Sequence, residues 1–346
     1  METLWFVLVA WLLTMYVLLD GFDLGVGIIH FCAARNESER RLLLNSVGPF
    51  WDGNEVWLLA AGGTLVLAFP SLYASGFSGL YLGLMVVLWL LILRGAAIGL
   101  RNHFVNALWR SFWDVVFSGA SPLLTLLFGV ALGNVVRGVP LDAAGNFFVP
   151  LWSDFRLGAQ PGILDWYTIL VGLAALAALA QHGSLWVALK TEGSIQERAR
   201  RTAAAAWYGA LGMSLVITGA TFRVQPHVPE RLVQQPWGFV FPALALAGLL
   251  WILLLRQRGM DGWAFLASGV FLAGMLGSAA FGLYPYLLPS NSQAGLGLTV
   301  YNAAAGPYAL RVALWWWIPG MILVATYTGW VYRRMAGKAK PEEEAY

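Results

Sequence analysis

Charge is what this sequence has least of. Only 11% of its 346 residues are Asp, Glu, Lys or Arg, against about 25% in soluble globular chains. That scarcity excludes a soluble enzyme, a disordered chain and a nucleic-acid binder, all of which need a solvated, charged surface. A single cysteine, Cys32, excludes a disulfide framework and a cysteine-built metal cluster held by this chain alone. The sequence also lacks a phosphate-cradling glycine loop, a Cys/His metal spacing and a nucleophile paired with a base. The apolar run Leu4–Leu19 follows Met-Glu with no basic leader region and no small-residue cleavage site. It is expected to be a retained helix and not a signal peptide.

What is present is apolar and aromatic: 59% hydrophobic residues, eighteen Trp and nineteen Phe, with a mean hydropathy of +0.67. A helix needs about 20 mostly apolar residues to cross a bilayer core. Nine runs of that kind are expected, at 4–29, 55–73, 77–100, 112–135, 162–189, 202–221, 237–255, 263–284 and 310–332. The expected fold is an all-α polytopic membrane protein, one integral membrane domain over 1–346. An odd number of spans puts the termini on opposite sides. With the N-terminus outside, sixteen of the 21 Lys and Arg residues fall in inside segments and five outside, which is the positive-inside pattern. The C-terminus, with Arg333, Arg334, Lys338 and Lys340, is then cytoplasmic. The outside segments Val136–Pro161 and Pro285–Arg311 are rich in Gly, Pro and Asn and read as loops. Beyond the acidic tail Glu342–Glu344 there is no low-complexity tract, and no convincing internal repeat.

In so apolar a chain the acids carry information, because a charge inside a bilayer costs roughly 2.5–3.5 kcal/mol on insertion scales. Asp20 and Asp23 lie within the first span, and their spacing of three puts both carboxylates on one helix face. At about 1.5 Å per residue, Asp20 sits about 24 Å in from Leu4, towards the cytoplasmic side. Gly21, Gly25 and Gly27 clear space beside it for another helix or for water. Asp52 and Glu55 repeat the spacing at the cytoplasmic entry of the second span. Two readings stand there: an N-cap with a capping box, favoured also by the helix dipole, and a carboxylate relay for proton uptake from the cytoplasm.

The remaining polar residues say less. His30, His103 and His227 are expected to be solvated; His182 is the one intramembrane imidazole and a candidate haem ligand, without a second deep histidine to complete a bis-His site. The eight Met are expected to be packing. Trp315, Trp316 and Trp317 are expected to form an interfacial aromatic belt more readily than a quinone or oxygen contact. Asp114 and Asp165 are expected at the interfaces.

The segments Asp20-Gly21-Phe22-Asp23-Leu24-Gly25-Val26-Gly27 and Gly48-Pro49-Phe50-Trp51-Asp52-Gly53-Asn54-Glu55-Val56-Trp57-Leu58 bring in a known family. The sequence resembles subunit II of the cytochrome bd-type ubiquinol oxidases, the cyanide-insensitive branch included. Arg35–Arg41, Phe69-Pro70, Tyr73-Ala74, Arg94, Gly133-Asn134, Gly138-Val139-Pro140, Phe281–Pro285 and Pro289-Ser290 extend the likeness over nearly the whole chain. The resemblance implies two four-helix bundles plus one peripheral helix, in a bacterial inner membrane, paired with a subunit I. That partner carries two b-type haems and one d-type haem, or a b-type in its place, together with the quinol-oxidising site. It implies that this chain ligates no haem or metal and holds no catalytic residue itself. Its role is assembly and cytoplasmic proton supply, and the complex reduces oxygen to water and builds a proton gradient without pumping. It leaves open a bound quinone or lipid and small single-helix accessory subunits.

By position, Asp52 matches the family's proton-pathway acid, expected to be buried. Asp20 and Asp23 match first-helix acids for which a structural role is as good a reading as a proton one. Glu55 ranks lower, since Gln also occurs there; Arg94 and Asn54 match structural or interface positions, and Trp57 a residue near the oxygen route. Gly99 stands where some members carry a carboxylate, which puts a second proton input in doubt. Two competing functions are a proton-coupled transporter using Asp20 and Asp23, and a stand-alone cytochrome using His182. No broken-helix pair in matching halves supports the first.

Overall fold

A computed structural model describes residues 1–158, 160–292 and 297–339. Lys340 and the acidic tail Glu342–Glu344 lie outside the described residues. The first half runs α1 (Glu2–Ala33), α2 (Glu37–Val47), α3 (Trp51–Ala68), α4 (Pro70–Gly79), α5 (Tyr81–Leu100) and α6 (Ala107–Arg137). Two short strands, β1 (Trp152–Phe155) and β2 (Leu164–Asp165), pair in parallel before the second half. That half contains α7 (Trp166–Lys190), α8 (Gly193–Val224), α9 (His227–Gln234), α10 (Val240–Gln257) and α11 (Asp261–Leu283). An antiparallel pair, β3 (Tyr286–Pro289) and β4 (Gly297–Thr299), then leads to α12 (Pro307–Arg334). Among the described residues eight helices are each long and apolar enough to cross a membrane, and the bent pair α3–α4 makes up to nine.

The second expected span differs from the structure. It does not run unbroken from 55 to 73: α3 stops at Ala68, and α4 leaves at 119° to it. Pro70 has no N–H to donate and disfavours helical backbone at Phe69, so the helix ends there; the same ring is well placed in the first turn of α4. The third span therefore begins at Tyr81 rather than at 77.

Two short amphipathic helices, α2 and α9, were not anticipated. Asn36 caps α2, its side chain accepting from the Glu39 N–H at 2.9 Å. Glu39 in turn joins α2 to α8 through Arg198 at 2.6 Å. Burial pushes the Glu39 carboxyl up, but the Arg35 N–H and Arg198 outweigh that and hold it below the usual carboxylate range.

Within the first half α1 packs on α3 and α6, and α5 on α6; within the second, α7 packs on α8 and α11, and α10 on α11. The halves meet where α1 and α6 lie against α7. At the α1–α7 crossing the backbones touch. A Cβ on Gly25 would sit 2.2 Å from the Leu179 carbonyl oxygen, and one on Gly183 would sit 2.3 Å from the Gly25 carbonyl carbon. Close approach of this kind is how small residues hold membrane helices together. Beside the contact, Phe22 stacks on Trp186 with ring centroids 3.9 Å apart. Outside both halves, α12 lies against α3, where Trp317 donates to the Thr64 hydroxyl at 3.2 Å. Trp315 and Trp316 point outward, each 80% exposed.

Gly183→Val places branched carbons inside the Gly25 backbone. The expected result is loss of the folded chain from membranes, read by the yield of tagged protein after detergent extraction; wild-type yield would show that α1 and α7 do not depend on this contact.

Candidate functional site

The face of α1 that carries Asp20 and Asp23 is covered on three sides, and both acids are fully buried. From α5 comes Arg94, itself fully buried, which grips Asp20 with both terminal nitrogens, Nη1 reaching Oδ2 at 2.8 Å and Nη2 reaching Oδ1. From α3 comes Glu55, whose Oε1 lies 3.5 Å from Arg94 Nη1. Asp23 makes a different bond: Asn54 of α3 donates through Nδ2 to its Oδ2 at 2.7 Å and to the Leu19 carbonyl at 3.1 Å. From α12, the Tyr332 hydroxyl donates to Asn54 Oδ1 at 3.0 Å. The shared spacing of the two α1 acids thus sends one to a cation and the other to an amide. Among the described residues Asp23 Oδ1 is buried without a hydrogen-bond partner, as are Trp57 Nε1 and Arg94 Nε nearby.

Asp52 stands apart. It lies in the first turn of α3, whose N-cap is Phe50 and has no side-chain cap bond. The capping-box reading therefore fails, because the helix starts two residues earlier than that box requires; the favourable position of a negative charge near the helix N-terminus remains. Contrary to expectation Asp52 is also exposed on this chain, not buried. Trp57 is buried against Leu12, Tyr16 and Ala61, edge-on to Trp11 at 5.5 Å. Gly99 is exposed on α5, with open space where a side chain would stand.

Sequence reasoning missed two further charge clusters. Asp114, near the start of α6, is fully buried and binds Arg101 Nε at 2.6 Å and His30 Nε2 at 3.0 Å. His30 is correspondingly buried, not solvated. At the other end of the bundle Asp165 is buried with Arg137 and caps α7 through the Tyr167 and Thr168 N–H groups at 2.7 and 3.0 Å. A signal existed for that cap: Asp165-x-x-Thr168 before an apolar run is a helix-start pattern.

His182 does not fit a haem-ligand role. Its Nε2 donates to the Leu18 carbonyl at 2.9 Å and its Nδ1 lies 2.6 Å from the Ser268 hydroxyl. Both ring nitrogens are engaged in tying α7 to α1 and α11. Half-buried His227 likewise reaches the Tyr284 carbonyl, at 3.2 Å.

Helices of membrane-spanning length around a buried acid–arginine cluster define an integral membrane protein with an ion pair inside its helix bundle. The chain belongs to the family of cytochrome bd terminal oxidase subunit II, whose pattern matches residues 1–335. It is 32% identical to the cytochrome bd ubiquinol oxidase subunit 2 of Bacillus subtilis, over 99% of this chain and 98% of that one. It is 31% identical to a probable cytochrome oxidase subunit 2 of Haemophilus influenzae, over 97% and 94%. It is 29% identical to the cytochrome bd-I ubiquinol oxidase subunit 2 of Escherichia coli, over 98% and 95%. The fold resembles a chain in the structure of bd oxidase from Geobacillus thermodenitrificans, with a TM-score of 0.75 and 17% identity over 96% of this chain and 98% of that one. The protein is therefore a multi-pass inner-membrane subunit of a terminal oxidase, an oxidoreductase complex with haem cofactors and a subunit I partner, and not a transporter.

Arg94→Gln strands Asp20 in the bundle, and losing one partner of a buried pair costs about 3–5 kcal/mol. The melting temperature of the purified complex should fall sharply, and Asp20→Asn in the same chain should recover part of it. A double variant as unstable as the single one would show that Arg94 acts through packing alone.

Proposed function

We propose that this chain supplies protons from the cytoplasm to the haem-bearing subunit I of a quinol:oxygen oxidoreductase, and that it also serves the assembly of that complex. The names of the relatives, which are ubiquinol oxidases, support quinol as the electron donor. The reading takes the N-terminus as outside and the C-terminus as cytoplasmic. The positive-inside count supports this, and so does the gathering of Lys190, Arg198, Arg200 and Lys338 at the end of the bundle that holds α2. In this reading the complex carries two b-type haems and one d-type haem, or a b-type in its place, all in subunit I. Small single-helix accessory subunits and a bound quinone or lipid are compatible with it.

The observation that carries the proposal is the unequal treatment of four neighbouring acids. Asp20 is gripped on both oxygens by Arg94 and is a fixed counter-ion. Asp23 keeps one oxygen without a hydrogen-bond partner among the described residues. Glu55 sits at the edge of the Arg94 guanidinium, its side chain 26% exposed. Asp52, one helical turn away on α3, is open to the outside of this chain. A proton taken up at Asp52 has Glu55 and then Asp23 as inner carriers, while Arg94 keeps the cluster from accumulating negative charge. Asn54 orients Asp23. Trp57 is assigned to the wall of the oxygen route in the assembled enzyme. A second input past Gly99 is not part of this proposal, since glycine has no group to relay a proton.

In the assembled oxidase, Asp52→Asn should lower quinol oxidase turnover or haem incorporation. Asp23→Asn should lower turnover roughly tenfold or more, the scale of a lost proton-transfer group, with the haem spectrum kept. Wild-type turnover and haem content in both variants would end the proton-supply reading.

A further inference from the structure

We propose that Tyr332, on the peripheral helix α12, is a positioning residue for proton transfer at Asp23, acting through the Asn54 amide. This rests on the reading of Asp23 as a proton carrier.

Hydrogen-bond polarity decides the arrangement. The Leu19 carbonyl can only accept, so the group of Asn54 facing α1 must be its NH2. One hydrogen goes to Leu19, at 3.1 Å, and the other to Asp23 Oδ2, at 2.7 Å. Asn54 Oδ1 is then turned towards α12, where the Tyr332 hydroxyl donates to it at 3.0 Å. Every capacity of the Asn54 NH2 is used, and the amide is polarised by a donor on its oxygen and acceptors on its nitrogen, which strengthens the bond to Asp23. With Oδ2 occupied, a proton arriving at Asp23 bonds to Oδ1, the oxygen that has no hydrogen-bond partner among the described residues; on departure the same O–H bond breaks. The Tyr332 proton points at an amide oxygen and not at the acid, so the tyrosine orients and does not relay.

Towards its other end α12 packs on α3 and on Trp5 and Trp11 of α1. Its cytoplasmic end is held by a clamp at the α7–α8 turn. Lys190 Nζ donates to the Met335 carbonyl at 2.7 Å, the Ala339 N–H donates to the Lys190 carbonyl at 2.7 Å, and Lys338 Nζ donates to the Thr191 carbonyl at 2.8 Å. The Lys190 ammonium also lies over the rings of Phe50 and Trp186, at 5.0 and 5.1 Å. Phe50 in turn packs against Tyr332 at 4.8 Å. The clamp and the aromatic wall together set the hydroxyl on Asn54.

The test uses the assembled oxidase in detergent, comparing wild type, Asp23→Asn, Tyr332→Phe and Lys190→Met. Infrared difference spectroscopy identifies the Asp23 carboxyl stretch as the band that Asp23→Asn removes. Tyr332→Phe should keep the haems, lower turnover roughly 3- to 10-fold, the range for one lost neutral hydrogen bond, and move that band to higher wavenumber as the bond at Oδ2 weakens. Lys190→Met, which leaves the acids and Asn54 untouched, should shift the band in the same direction, and it carries the test if Tyr332→Phe does not assemble. An unmoved band and wild-type turnover in Tyr332→Phe, with Asp23→Asn impaired, would overturn the positioning role while leaving proton supply intact. Wild-type turnover in Asp23→Asn itself would overturn the proton reading and this inference with it.

Discussion

The ion pair between Asp20 and Arg94 is the constraint on which the rest of this fold is arranged. Both groups are fully buried in a bundle of apolar helices, where neither charge can be left alone without a penalty of several kcal/mol. The pair therefore ties α1 to α5 and sets the distance between them. Glu55 of α3 is drawn to the same guanidinium, so three spans of the first half converge on one point. The second α1 acid, Asp23, is excluded from that pairing by the guanidinium's commitment to Asp20, and takes the Asn54 amide instead.

A similar logic governs the ends of the bundle. Asp114 gathers Arg101 and His30 at one end, and Asp165 gathers Arg137 at the other. Each places a carboxylate against a guanidinium and uses the pair to join helices or to cap one. Between these ends the halves are joined by backbone contact at Gly25 and Gly183 and by His182, which bonds to α1 and α11 with its two nitrogens. A residue that stands out in sequence as a metal ligand is, in the fold, a cross-brace. Charged pairs and small residues do here what the hydrophobic effect does in a soluble core, because lipid gives apolar side chains no reason to prefer each other.

Much of this was legible beforehand. The run lengths located the spans, and the spacing of Asp20 and Asp23 placed them on one face. Local rules also explain some of what was misread: Pro70 ends α3 by removing a donor, and Asn36 and Asp165 carry the side chains that start α2 and α7. Other features had no local signal. The first turn of α3 looks the same in sequence whether Asp52 is covered or open, and burial of Asp114 and His30 depends on Arg101 arriving from a different helix. Tyr332 belongs to an aromatic-rich span end in which nothing marks one ring as special.

The sequence by itself determined that the chain lies in a membrane, roughly where it crosses, and which few acids are held in apolar surroundings at a cost that calls for a reason. It determined the family too, through the segments around Asp20 and Asp52. Only the tertiary structure decided which acid is neutralised and which keeps a free oxygen. Pairing energies fall off over a few ångströms, while the partners are separated by 74 residues for Asp20 and Arg94, and by 278 for Asn54 and Tyr332. Those distances are settled by how helices cross, and the crossing depends on contacts summed over the whole bundle rather than on any stretch of chain that can be read alone.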